Sequence, residues 1–154
     1  MEPMLAPYKK LYRAIKGRSG RQEYWMFFLL FLALHIVPLI LFFGMFGGIS
    51  SLDPQNMAGA MAGLGIITML LFIPLYAVLA VTYLAMAAVS IRRLHDIGIT
   101  GWVYVALYVV LFIPFLNFLA MIVYLVLMAL PGTAGPNKYG APNDEDESAG
   151  AVFS

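Results

Sequence analysis

The side chains able to do chemistry in this sequence gather in two short segments. One reads Gly17-Arg18-Ser19-Gly20-Arg21-Gln22-Glu23-Tyr24-Trp25; the other reads Arg92-Arg93-Leu94-His95-Asp96-Ile97-Gly98-Ile99-Thr100-Gly101-Trp102. Arg18, Arg21, Glu23, Arg92, Arg93, His95 and Asp96 thus place four guanidinium groups, two carboxylates and an imidazole beside apolar runs. Two arrangements suit these groups. Glu23 and Asp96 can pair with Arg21, Arg92 or Arg93 as a polar clasp between the segments. The planar arginine forks can instead take an anionic head group bidentately, with His95 as a titrating donor. Four arginines against two carboxylates leave two positive charges over, which favours recruitment of phosphate at an anionic surface.

Catalysis has little support. His95 beside Asp96 is the one acid/base candidate, and adjacency in sequence does not supply the geometry a general base needs. The chain has no Gly-x-Ser-x-Gly elbow, Walker phosphate loop, His-Glu-x-x-His or Rossmann glycine pattern, so a non-enzymatic protein is expected. With no cysteine and only His35 and His95, thiolate chemistry is excluded and a zinc site lacks ligands, so neither metal nor cofactor is expected. A nucleic-acid surface is not expected either, because Lys and Arg are confined to the flanks of apolar runs.

The elements that must position these residues follow from composition. Of 154 residues, 62% are hydrophobic and 11% charged, with a formal net charge of +1; soluble domains average about 45–50% and 25%. No Asp, Glu, Lys or Arg lies between Tyr24 and Phe46, Gly63 and Ile91, or Trp102 and Pro131. The first run, 24–46, suits one crossing of a hydrocarbon core about 30 Å thick. It is too long for the core of a cleaved signal peptide. The second, 64–91, contains Pro74 and reads as one long helix kinked there. The third, 102–130, is long for one crossing and short for two, with Pro114 and Asn117 at its centre. It reads as a single kinked span, because irregular backbone is not tolerated in lipid; a hairpin turning at 113–117 is the alternative. The fold expected is an all-α integral membrane helical bundle with three transmembrane passes, or four with the hairpin.

Outside the spans, residues 1–23 form a cytoplasmic basic segment. Tyr8, Leu11, Tyr12 and Ile15 share one face of an amphipathic helix, with Pro7 in its first turn and Gly17 as its stop. Gly44, Gly47, Gly48 and the polar stretch 50–56 read as a connection. The stretch 57–63, with Gly59 and Gly63 at small-xxx-small spacing, reads as flexible loop. Residues 131–154 read as a turn-rich, acidic and largely disordered tail. Six Lys and Arg lie in 1–23, none in 47–63, and Arg92 and Arg93 follow the second span. By the positive-inside rule the N-terminus and the 92–101 loop are cytoplasmic.

These features suggest an accessory, scaffold or lipid-interacting module whose partners are membrane phospholipids, another membrane protein or further copies of itself. The alternative is an oligomeric small-solute transporter or channel. Its support is thin, because the spans hold only His35 as a titratable group besides tyrosines, with Asn117 as a further polar residue. A lone intramembrane histidine is expected to bond between helices. Tyr76, Tyr83, Tyr104, Tyr108 and Tyr124 read as packing and interfacial aromatics.

The two polar segments, followed by Pro131-Gly132-Thr133-Ala134-Gly135-Pro136-Asn137-Lys138-Tyr139-Gly140, resemble in order and spacing the three signatures of a bacterial inner-membrane family, domain of unknown function 805. The resemblance covers about residues 10–142. Thr100 stands where that family commonly has Ser, and Val103 where a second Trp is common. The resemblance implies an integral helical protein of the bacterial inner (plasma) membrane and no established activity.

Overall fold

Within an apolar segment only a helix satisfies every backbone donor and acceptor internally, and the described chain is built accordingly. The computed structural model describes residues 2–10, 15–50 and 54–142. They form helices α1 (Glu2–Lys9), α2 (Arg21–Ser50), α3 (Pro54–Asp96), α4 (Trp102–Val110) and α5 (Leu116–Ala129). Among the described residues the one β-type pairing is an isolated antiparallel bridge between Asn137 and Gly140.

Two stretches among the described residues are long and apolar enough to cross a membrane: Arg21–Gly44 in α2, with 24 residues, and Phe72–Asp96 in α3, with 25. At 1.5 Å per residue each covers about 36–38 Å. Their exposed apolar side chains include Leu29, Ile36, Ile40 and Phe43 on α2 and Ile73, Val78 and Leu84 on α3. Exposed apolar surface on this scale calls for a non-aqueous surrounding.

The helices extend further than glycine content suggests. α2 continues through Gly44 and Gly48 to Ser50, and α3 is already helical at Pro54. The expected connection at 44–56 is therefore helical over 44–50 and 54–56, and the stretch 57–63 is helix rather than loop; residues 51–53 lie outside the described ones. Glycine costs about 1 kcal/mol in a water-exposed helix, but unwinding in an apolar medium strands backbone groups at a higher cost. α3 is likewise continuous through Pro74. At the N-terminus α1 starts earlier than expected, so Pro7 sits inside it rather than in its first turn. The remainder of the expected amphipathic helix, residues 11–14, lies outside the described residues. Tyr8 packs edge-on against Phe27, with ring centroids 5.2 Å apart.

The chain divides into two units, residues 29–83 and residues 1–28 with 84–154; α2 and α3 run through both. In the first unit, His35 lies between Phe31 and Tyr83, at centroid distances of 4.1 and 4.7 Å. Its Nδ1 donates to the Phe31 carbonyl at 2.7 Å, so its hydrogen bond stays within α2 instead of reaching another helix.

The second unit contains the largest departure from expectation. The run 102–130 is not one kinked span but two short helices folded back on each other. α4 ends at Val110, residues 111–115 turn, and Phe115 carries φ 68°, a left-handed conformation that ends helical continuity. Tyr104 near the start of α4 meets Tyr124 near the end of α5, with centroids 6.3 Å apart. The turn supplies its own acceptors: Leu111, Phe112 and Ile113 donate to Leu107, Val109 and Val110, and Asn117 Oδ1 accepts from the Phe118 amide at 2.7 Å. The backbone groups freed by Pro114 are thus largely bonded locally, which removes the objection to a break at this point. α4 and α5 have 9 and 14 residues, about 14 and 21 Å.

α3 ends in a Schellman motif. The Gly98 amide donates to the His95 carbonyl at 3.1 Å and the Ile99 amide to the Leu94 carbonyl at 2.9 Å, with Gly98 at φ 78°. A Cβ at Gly98 would meet only Thr133 Cγ2, at an ordinary 3.7 Å, so substitution strains the backbone alone. Gly98→Ala is expected to destabilise the protein by roughly 1–2 kcal/mol, read as a lowered unfolding temperature in mild detergent. Equal stability of the two proteins would show that the positive φ carries no cost.

Candidate functional site: a buried arginine clasp

The Schellman turn directs the end of α3 against two other segments, residues 17–23 and 131–140, and their polar groups interlock. Asp96, fully buried, is the centre. Its Oδ1 accepts from Arg18 Nε at 2.7 Å, and its Oδ2 accepts from Arg93 Nη1. The Asp96 carbonyl accepts from both the amide and the hydroxyl of Thr133, each at 2.9 Å.

The arginine forks are committed to acceptors inside the protein. Arg18 donates through Nη1 to the Gly135 carbonyl at 2.8 Å and through Nη2 to the Thr133 carbonyl at 2.7 Å. Arg93 donates through Nε to the Met128 carbonyl at 3.2 Å and through Nη2 to the Leu130 carbonyl. It thereby caps the C-terminus of α5, whose last carbonyls lack helical partners. Arg92 donates through Nε to Ser19 Oγ at 3.1 Å and reaches Glu23 at 3.5 Å, while its carbonyl accepts from the Ser19 amide at 3.2 Å. Lys10 holds the other Glu23 oxygen at 2.6 Å.

His95 is a bracket for the third segment. Its ring stacks on Tyr139, with centroids 3.8 Å apart and planes within 6°. Its carbonyl accepts from Asn137 Nδ2 at 2.9 Å, and the same nitrogen donates to the Thr133 hydroxyl oxygen at 2.9 Å. The Asn137 side chain also takes the Tyr139 amide at 2.9 Å, so one asparagine shapes the turn and docks it. Beneath the clasp, Tyr124 ties α5 to α2 and α3 through hydroxyl contacts with Tyr24 at 2.9 Å and Ser90 at 2.8 Å.

Six of the seven residues picked from sequence, Arg18, Glu23, Arg92, Arg93, His95 and Asp96, thus come together. Arg21 is exposed and takes no part in these bonds. The pairing differs from expectation, because Arg18 rather than Arg21 holds Asp96, and Lys10 joins Glu23. The stretch 131–142 is ordered and docked rather than disordered; 143–154 lies outside the described residues. Lys10, Ser19, Thr133, Gly135, Asn137 and Tyr139 are the participants absent from the residues picked from sequence. For the four in 131–140 the signal was the density of turn formers, which can mean docked turns as well as disorder.

Residues 12–141 match the family model for a protein of unknown function, DUF805. The chain belongs to this family. Inner membrane protein YhaH of Escherichia coli K12 is 33% identical over 132 residues, covering 85% of this chain and 88% of YhaH. Inner membrane protein YhaI of the same strain is 29% identical over 133 residues, covering 85% of this chain and 86% of YhaI. No solved structure matches the chain. The three segments on which the sequence resemblance rests are the three that interlock through Asp96, Arg18 and Thr133. In this DUF805 protein they form one structural lock, distributed over the chain.

Proposed function

We propose that the protein is a multi-pass inner-membrane helical protein with a non-enzymatic accessory or scaffold role, its clasp fixing the cytoplasmic end of the bundle. One observation carries this reading: the forks of Arg18 and Arg93 are spent on Asp96 and on four backbone carbonyls, those of Thr133, Gly135, Met128 and Leu130. Groups so engaged hold segments together and are not presented to a substrate. The excess positive charge that sequence counting assigns to a phosphate is solvated by peptide dipoles instead.

Positive-inside bias puts residues 1–23 and the 92–101 loop in the cytoplasm. Because 131–140 bonds to both, the end of the 102–130 hairpin belongs on the same side. Reporter fusions after Gly20, within 92–101 and after Gly140 are expected to report cytoplasm, and one within 50–56 the opposite side. An external signal after Gly140, with the other three as expected, would refute the returning hairpin; a cytoplasmic signal at 50–56 would refute the orientation as a whole. Purification in native nanodiscs, with identification of co-isolated proteins, tests the scaffold role. A self-oligomer that conducts ions in liposomes would replace that role with transport.

A further inference from the structure

Beside the clasp lies a cleft that shares only His95 with it. Its volume is about 260 Å³, and Ile15, Ile91, His95, Thr100, Gly101, Trp102 and Val105 line it. A water occupies about 30 Å³ of liquid, so the space suits a small organic group. The lining is apolar except for Thr100 and the His95 ring. Trp102 is 76% exposed, as befits an aromatic at a membrane boundary.

The two nitrogens of the His95 ring have different surroundings. Nδ1 lies 3.4 Å from the Gly17 carbonyl, an acceptor, so in the neutral ring Nδ1 carries the proton. Nε2 then offers a lone pair. It lies on the Gly101 side, where a Cβ would stand 3.4 Å from it and 2.7 Å from Ile91 Cγ2. Only glycine at 101 leaves that wall open. The residue as a whole is 9% exposed, and among the described residues Nε2 has no hydrogen-bond partner. That nitrogen faces the cleft that His95 and Gly101 line, so a molecule seated there can donate a hydrogen bond to it.

The geometry points to a binding site for a bilayer phospholipid whose head group carries N–H or O–H donors, with the donor on His95 Nε2 and the apolar part against Ile15, Ile91, Trp102 and Val105. This inference rests on the reading above that this end of the bundle lies at the membrane interface. The arginines take no part in it. The neutral imidazole selects for a donor, not for negative charge, so the discriminating pair is phosphatidylethanolamine against phosphatidylcholine. Both head groups are zwitterionic, and only the first has N–H groups.

The experiment is native mass spectrometry of the full chain released from bilayers holding equal amounts of the two lipids with identical acyl chains. The wild type is expected to retain phosphatidylethanolamine over phosphatidylcholine by roughly 2- to 10-fold, the range of one hydrogen bond. His95→Phe preserves a ring against Tyr139 and is expected to abolish the preference. Val105→Phe narrows the cleft from a wall remote from Asp96, and is expected to lower retention of both lipids with an unchanged unfolding temperature. Equal retention by the wild type overturns the site, as does an undiminished preference in His95→Phe. If His95→Phe does not fold, Val105→Phe decides: retention at the wild-type level overturns the site. The topology fusions are read independently, so failure of the lipid preference leaves the scaffold reading standing.

Discussion

Asp96→Asn is expected to cost about 3–5 kcal/mol, the usual penalty for removing one member of a buried ion pair. Asparagine keeps the shape and loses the charge that two guanidiniums share. Arg18 and Arg93, with side chains 1% and 0% exposed, would remain buried around a neutral amide. Native stabilities of about 5–15 kcal/mol leave little margin for such a loss. The variant should therefore accumulate poorly in membranes, and its unfolding temperature in mild detergent should fall well below that of Lys10→Ala. Lys10 provides the comparison because its side chain is 43% exposed, and ion pairs with an exposed member contribute about 0–1 kcal/mol. A double-mutant cycle of Arg18→Met with Asp96→Asn should show a coupling of about 0.5–3 kcal/mol. If Asp96→Asn costs no more than Lys10→Ala, the clasp does not hold the bundle.

Truncation tests the third segment with nearly as large an effect. A chain ending at Leu130 loses the Thr133 and Gly135 carbonyls that accept from Arg18, together with the Thr133 donors to the Asp96 carbonyl. Hydrogen bonds from a charged donor contribute about 1.5–3 kcal/mol each. Loss of two such acceptors, with water entering in their place, should destabilise by about 3 kcal/mol. A chain ending at Pro142 keeps every contact described above and should match the full chain. Both are measured by thermal unfolding in the same detergent, and equal stability of the two truncations would mean that residues 131–140 are passengers.

What could be read from the sequence divides along physical lines. Long apolar runs reveal themselves in one dimension, because the bilayer sets the length and lipid forbids charge; α2 and α3 were legible for that reason. Ionisable residues at the ends of such runs have few alternatives to each other, so the composition of the cluster was legible too. Its connectivity was not, because the acceptors that decide it at Thr133, Gly135, Met128 and Leu130 are backbone carbonyls, which every residue carries. Counting charges assigned the surplus to a phosphate when peptide dipoles were at hand. The break at 111–115 was obscured by a sound rule applied to half the facts. Irregular backbone is forbidden in lipid only when its polar groups go unbonded, and the turn bonds most of its own.

The docking of residue 133 onto residues 18 and 96 also sets a schedule for the making of the protein. Arg18 and the Thr133 carbonyl it holds are 115 residues apart in the chain, a gap that takes roughly 6–23 s to synthesise at 5–20 residues per second. Throughout that interval the first arginine exists without the groups that will enclose it. The lock therefore closes only after residue 135 has been made. A nascent chain stalled before residue 130 holds its helices without their latch, so this end of the bundle stays open until the third segment has left the ribosome.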